Sequence, residues 1–249
     1  MKIFAVSFII SILFSFNFWA QKPLNSSING HSHNDYVQKR PFKTAFEARM
    51  GSIEADVFLI NNNLYVAHEA KDINLKYTLE NLYLKPIIQA IQIGKIYPMI
   101  LLIDVKSQAD STLDVVMQQI ARYPQFLNEK CPVQFIISGN RPKPEKWVTY
   151  PSFILFDGRP NETYTPNEWQ RVGIVSQSFE KYISKKGQKN IDNLTFEKMK
   201  VVIDTIHAQG KKIRFCATVD KKKVWKALVK MGADFINTDK PKALKRFLN

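Results

Sequence analysis

Short apolar, β-branched runs alternate along the chain with stretches in which apolar residues recur every three or four positions. The first pattern belongs to buried strands and the second to amphipathic helices, and their alternation predicts a parallel sheet covered by helices. Strands are expected over 27–30, 52–59, 99–105, 133–138, 153–156, 174–177, 212–217 and 235–238. The clearest helical periodicity spans 112–127, 195–209 and 222–231, with Gly210 and Gly232 placed to end the last two. Behind the fourth and fifth strands the segments are short and rich in proline, so stunted helices are expected there. Asn61 to Asn63 separate the runs Val57-Phe58-Leu59 and Leu64-Tyr65-Val66, which predicts a hairpin extending the second strand.

Eight β/α units over residues 21–249 match a single-domain α/β fold, the (β/α)8 or TIM barrel. No glycine-rich phosphate loop follows the first strand, which counts against an open dinucleotide-binding sheet. A closed barrel carries its own statement about function, because active residues gather at the carboxyl ends of its strands.

Residues 1–20 read differently. Met1-Lys2 open an apolar stretch from Ile3 to Trp19, broken by Ser7, Ser11, Ser15 and Asn17, and Ala20 precedes Gln21-Lys22-Pro23. This is the layout of a secretory signal cut after Ala20, and the apolar stretch falls short of the roughly 20 residues that cross a bilayer comfortably. A secreted or periplasmic barrel is therefore expected. Lys2 is the sole charge of that stretch, so the remainder keeps a net charge of +13. Such an excess favours anionic ligands or surfaces, such as small phosphate esters, phospholipid head groups or acidic polymers, and leaves peripheral contact with membrane lipid open. For the runs Lys185-Lys186 and Lys221-Lys222-Lys223, plain solubility is the preferred reading. Nucleic acid is disfavoured by export and by the lack of a basic stripe interleaved with aromatics. Cys131 and Cys216 sit in or beside apolar runs and are expected to be buried free thiols.

The chemistry-bearing residues fall where a barrel would put them. The first strand ends in Gly30-His31-Ser32-His33-Asn34-Asp35-Tyr36, the second carries Glu54 and Asp56 and leads to His68-Glu69, and the third ends in Asp104-Val105-Lys106. Residues two apart on a strand share a face, so Glu54 projects with Asp56, and Asp104 with Lys106. Converging carboxylates need protons or a cation, and an oxygen-rich set suits Mg²⁺ or Ca²⁺; the plainer alternative is an ion pair with Lys106. A histidine pair suits phosphodiester cleavage, which takes a proton from the attacking oxygen and gives one to the leaving alkoxide. Arg141 and Arg159, at the ends of the fourth and fifth strands, are candidates to hold phosphate by their guanidinium forks. Turn formation explains their surroundings equally well. His31 with His33 also makes the His-x-His pattern of metal-dependent amidohydrolases. That reading needs further histidines on later strands, and only His207 follows, within an expected helix.

The order His33, Pro41 and Thr44, Gly51-Ser52-Ile53-Glu54-Ala55-Asp56-Val57, Val66-Ala67-His68-Glu69, Ile103-Asp104-Val105-Lys106 resembles the glycerophosphodiester phosphodiesterases of the phosphatidylinositol-phospholipase-C-like superfamily. The segment Gly232 to Pro241 resembles that family's closing strand. The resemblance implies a phosphoric diester hydrolase in which His33 and His68 are the acid and base pair, Glu54, Asp56 and Asp104 hold the metal, and Lys106 binds phosphate. Thr218 stands where the family has its seventh-strand threonine and is expected to contact substrate, and His31, beside His33, is expected as a neighbour of the site. Three departures stand out. Asn34-Asp35 replace the Arg-Gly that usually follows the first histidine, the third acid is Asp104 where Glu is usual, and Ala217 replaces the aromatic before Thr218. The first and third motivate the rival expectation of a barrel that binds a phosphorylated or glycan ligand without cleaving it, and the retained carboxylates and histidines count against it.

Overall fold

The computed structural model describes residues 29–184 and 186–249. The signal expected over 1–20 and the first two residues of the strand expected over 27–30 lie outside the described residues. The strands are β1 (Asn29–Ser32), β2 (Ser52–Ile60), β3 (Asn63–Val66), β4 (Met99–Val105), β5 (Val133–Gly139), β6 (Ile154–Gly158), β7 (Val172–Ser178), β8 (Ile213–Cys216) and β9 (Phe235–Thr238). The α-helices are α1 (Lys43–Glu47), α2 (Lys85–Gln92), α3 (Ala109–Ala121), α4 (Pro166–Gln170), α5 (Asn193–Ala208), α6 (Lys222–Met231) and α7 (Pro241–Leu248). Strands β1, β2 and β4 to β9 pair in parallel, and β1 bonds to both β2 and β9, so the sheet closes on itself. The fold is the eight-stranded (β/α)8 barrel, with β3 appended antiparallel to β2. Asn61 and Asn62 turn that hairpin with φ of 48° and 60°, the left-handed pair that a tight two-residue connection requires.

Strand alternation sorts the apolar residues into two cores. On β4, Leu101, Ile103 and Val105 join the layer beneath the helices, while Ile100 and Leu102 point inward to meet Ile136, Ile174 and Phe235 inside the barrel. This inner plug fills the lower barrel, and the inward positions above it are polar. On β4 the next inward residue after Leu102 is Asp104.

Several boundaries differ from the sequence reading for physical reasons. Strand β1 continues to Ser32 because His31 and Ser32 find backbone partners on β9 at Asn237 and Thr238. Helix α3 stops at Ala121, and a separate 3-10 turn covers Pro124–Leu127, because proline cannot continue the α-helical hydrogen bonding. Behind β5 there is only the 3-10 turn Pro144–Thr149, and behind β6 the five-residue α4, as the proline content foretold. Gly232 ends α6 at φ 90°, a left-handed cap that glycine adopts without strain. Both cysteines are free thiols, half-buried rather than buried.

Candidate active site

Register brings the acids together. Asp56 lies opposite Asp104 across the β2–β4 pairing, with Glu54 two residues below Asp56 on the same face. The three side chains each offer an oxygen, all within 4.8 Å of one another. Lys106 bridges two of them, its Nζ standing 2.9 Å from Asp56 Oδ2 and 2.9 Å from Asp104 Oδ1. Asp56 Oδ1 is buried and has no hydrogen-bond partner. Burial, reinforced by the charges of Glu54 and Asp104, pushes the Asp56 carboxyl up to about 6. Burial and Glu54 likewise raise Asp104. Gly139 makes room for this cluster: at φ 67°, a Cβ there would run into the Asp104 carboxylate and the Val105 backbone.

Glu54 is supported from below. His31 is fully buried, with Nε2 2.7 Å from Glu54 Oε2 and Nδ1 2.8 Å from Ser52 Oγ. Burial, and then the neighbouring Arg214, lower His31 to about 4, so it stays neutral at ordinary pH. Arg214 donates to Glu54 Oε2 at 3.0 Å and to Ser176 Oγ at 2.7 Å. Burial works to raise Glu54, but the His31 hydrogen bond and the Arg214 charge outweigh it and hold the carboxyl below its ordinary range. His31 is therefore sealed beneath Glu54 and underpins that carboxylate.

The other two histidines flank the acids. His33 places Nδ1 2.7 Å from Asp239 Oδ1 and Nε2 3.9 Å from Glu54 Oε1, with 28% of its side chain exposed. Burial lowers its pKa, but the Asp239 hydrogen bond and the Glu54 and Asp239 charges overcome this and raise it. His68 is 55% exposed, its Nδ1 3.4 Å from Asp56 Oδ2 and 3.3 Å from the Tyr36 hydroxyl. That hydroxyl also lies 2.9 Å from Asp56 Oδ2 and 2.8 Å from Asn34 Oδ1.

The remaining candidates sit across the mouth. Arg141 is only 10% exposed and is bound to Glu162 at 2.6 Å and to the Asp157 carbonyl. Arg159 pairs with Asp157 at 2.7 Å and keeps 28% of its side chain exposed. Thr218 donates to the Asn237 carbonyl at 3.2 Å and follows Ala217, whose φ of 58° is a strained left-handed value for alanine. Sequence reading missed Arg214, Asp239 and Tyr36 as site residues. Arg214 was signalled by a charge between Ile213 and Phe215 in an expected strand. Asp239 becomes visible once closure sets β9 against β1.

Comparison with known proteins follows the same geography. The AIM6-like phosphodiesterase domain profile matches residues 24–97, and the glycerophosphoryl diester phosphodiesterase family profile matches residues 212–242. These segments meet where β9 closes on β1. A crystal structure of a glycerophosphodiester phosphodiesterase from Parabacteroides distasonis superposes over 89% of this chain and 97% of its own, with a TM-score of 0.60 at 17% identity. The chain shares the barrel fold of that enzyme. Among sequence relatives, the altered inheritance of mitochondria protein 6 homolog of Arthroderma benhamiae is 43% identical over 68 residues. That match spans 25% of this chain and only 22% of the relative's length. The altered inheritance of mitochondria protein 6 of Eremothecium gossypii is 25% identical over 87% of this chain and 68% of its own.

Proposed function

We propose that this barrel is an exported, divalent-metal-dependent phosphoric diester hydrolase. Its substrate would be a small glycerophosphodiester, a phospholipid head group or a related diester. The supporting observation is the Asp56 Oδ1 oxygen, buried without a partner among three converging carboxylates. Glu54, Asp56, Asp104 and Asp157 face three cations, Lys106, Arg214 and Arg159, which leaves one negative charge over. An all-oxygen donor set with excess negative charge fits a hard cation such as Mg²⁺ or Ca²⁺. Held by Glu54, Asp56 and Asp104, such an ion would polarise the phosphoryl group and offset the charge that gathers on its oxygens.

The protein's own groups would do the rest. Asp239 fixes the His33 ring so that Nε2 faces the acids, and His68 stands on the far side of Asp56. One imidazole takes the proton from water or a neighbouring substrate hydroxyl, and the other returns a proton to the leaving alkoxide. Lys106 places an ammonium against the phosphoryl oxygens. Turnover of bis(p-nitrophenyl) phosphate by purified protein should vanish with EDTA and return with Mg²⁺ or Ca²⁺. His68→Ala should lower kcat by about 10²–10⁴-fold without loss of folding, since the side chain is largely in solvent. Metal-independent turnover, or full activity in His68→Ala, would overturn the reading. Binding without hydrolysis is the second reading, favoured by Asn34 at the position of the missing arginine. The amidohydrolase alternative needs histidine-ligated zinc, whereas the metal-capable cluster found among the described residues holds carboxylates alone.

A further inference from the structure

Helices α6 and α7 carry an unbalanced run of charge on neighbouring elements. From Lys221 to Ala233, and again from Lys240 to Asn249, no acidic residue occurs. Helix α6 turns Val224, Trp225, Leu228 and Met231 into the core and leaves Lys222, Lys223, Lys226 and Lys230 in solvent. Helix α7 buries Pro241 and Leu244 and carries Lys242, Lys245 and Arg246 on its outer side. The two helices are joined by the Trp225 and Phe247 rings, whose centroids lie 5.5 Å apart. A shallow depression of about 310 Å³ is lined by Lys242, Lys245, Arg246, Ala48 and Glu47. The acid in that recess is already clasped by Arg40 at 2.9 and 2.5 Å.

Lys222, Lys223 and Lys242, at the starts of these helices, work against local stability, whereas Lys230, Lys245 and Arg246 in the last turns suit the dipole. Neither α6 nor α7 has a side-chain cap at its start, and each has basic residues with no acid in its first turn, where the helix dipole favours negative charge. A feature that opposes the helix it sits on calls for an external partner. Both helices also begin at the mouth, α7 just after Asp239, the residue that holds His33.

We propose that the α6–α7 face docks the barrel on an anionic lipid bilayer, with the mouth brought beside the head groups. Lysines predominate, and a flexible point charge suits a diffuse negative surface better than the planar recognition arginine provides. Trp225 and Phe247 pack against each other, so these helices offer no exposed ring on which a nucleic-acid base could stack. Docking of this kind is independent of catalysis and is read without it.

The test is sedimentation of the purified protein with vesicles of phosphatidylcholine alone or mixed with phosphatidylglycerol, at rising salt. Binding should require phosphatidylglycerol and weaken as salt screens the surface. The triple variant Lys222→Gln, Lys226→Gln, Lys230→Gln should lose about fivefold in partitioning for each charge removed. Lys95→Gln, Lys130→Gln, Lys143→Gln, which alters the β4–β5 side of the barrel, should lose far less. No phosphatidylglycerol dependence, or equal loss in both triples, would overturn the proposal. So would capture of single-stranded DNA by a protein that ignores the vesicles, which would assign the face to nucleic acid.

Discussion

On the side of the mouth built by β2 and β4, Asp56 and Asp104 share one ammonium, that of Lys106; on the side built by β5 and β6, Asp157 and Glu162 each have a guanidinium, from Arg159 and Arg141. Both sides bury a carboxylate oxygen that lacks a hydrogen bond, Asp56 Oδ1 and Asp157 Oδ1. What separates them is balance. Asp157 Oδ2 takes Ser138 Oγ at 2.7 Å and Arg159 at 2.7 Å, and Arg214 stands 3.9 Å off. Asp56 is buried, is crowded by Glu54 and Asp104 as well, and is pushed up to about 6. A count of polar residues would score the two sides alike. The shortfall of positive charge, together with His33 and His68 within reach of it, is what singles out the first as the place where a cation and a diester would bind.

The severest way to break this contrast is to remove the cation that joins the two sides. Arg214→Met leaves Glu54 buried without its ion pair, and the expected loss is about 3–5 kcal/mol, read as a lower midpoint in urea. If stability is unchanged, the two sides are not electrostatically linked. A milder experiment sharpens it: at a concentration about 100 times the dissociation constant, Mg²⁺ or Ca²⁺ should stabilise the wild type by about 2.7 kcal/mol. The same ion should do far less for Asp56→Asn, and a shift of equal size in both would move the metal elsewhere. Gly139→Ala probes the seam between the sides. The left-handed backbone and the collision with Asp104 together predict a loss of about 1–3 kcal/mol, accompanied by weaker metal affinity, whereas a stability loss alone would separate packing from ligand placement.

The last contrast lies at the opposite pole and serves as a background. Burial lowers Lys211, whose ammonium donates to the Val172 carbonyl at 2.7 Å, from 10.5 to about 8. Between those values the unfolded chain holds more protons than the folded one, so stability rises with pH across that window and falls again as pH drops through 8. Lys211→Met should flatten this alkaline rise while leaving the mouth untouched. A rise that survives the substitution would have to come from another group.

The motifs pointed to carboxylates and to His68, which the structure gathers at one mouth, because each lies on a strand end or in a hairpin whose local pattern is strong. They served less well where a residue's partner is distant in sequence. His31 and His33 are two apart on adjoining inward positions, yet one is sealed against Glu54 and the other faces Asp239, 206 residues away. Arg141 and Arg159 looked equivalent as guanidinium forks, and the tertiary structure gives them different acids, Glu162 and Asp157.

Alternation of apolar and polar residues was enough to determine the eight strands, the hairpin turned by Asn61 and Asn62, and the inward parity of Glu54, Asp56 and Asp104, since a strand's side-chain period is a local property. Barrel closure decided the rest. It alone sets β9 against β1 and brings Asp239 to His33 and Arg214 to Glu54, contacts whose energy depends on burial and distance across the sheet and so leaves no trace in any one stretch of sequence.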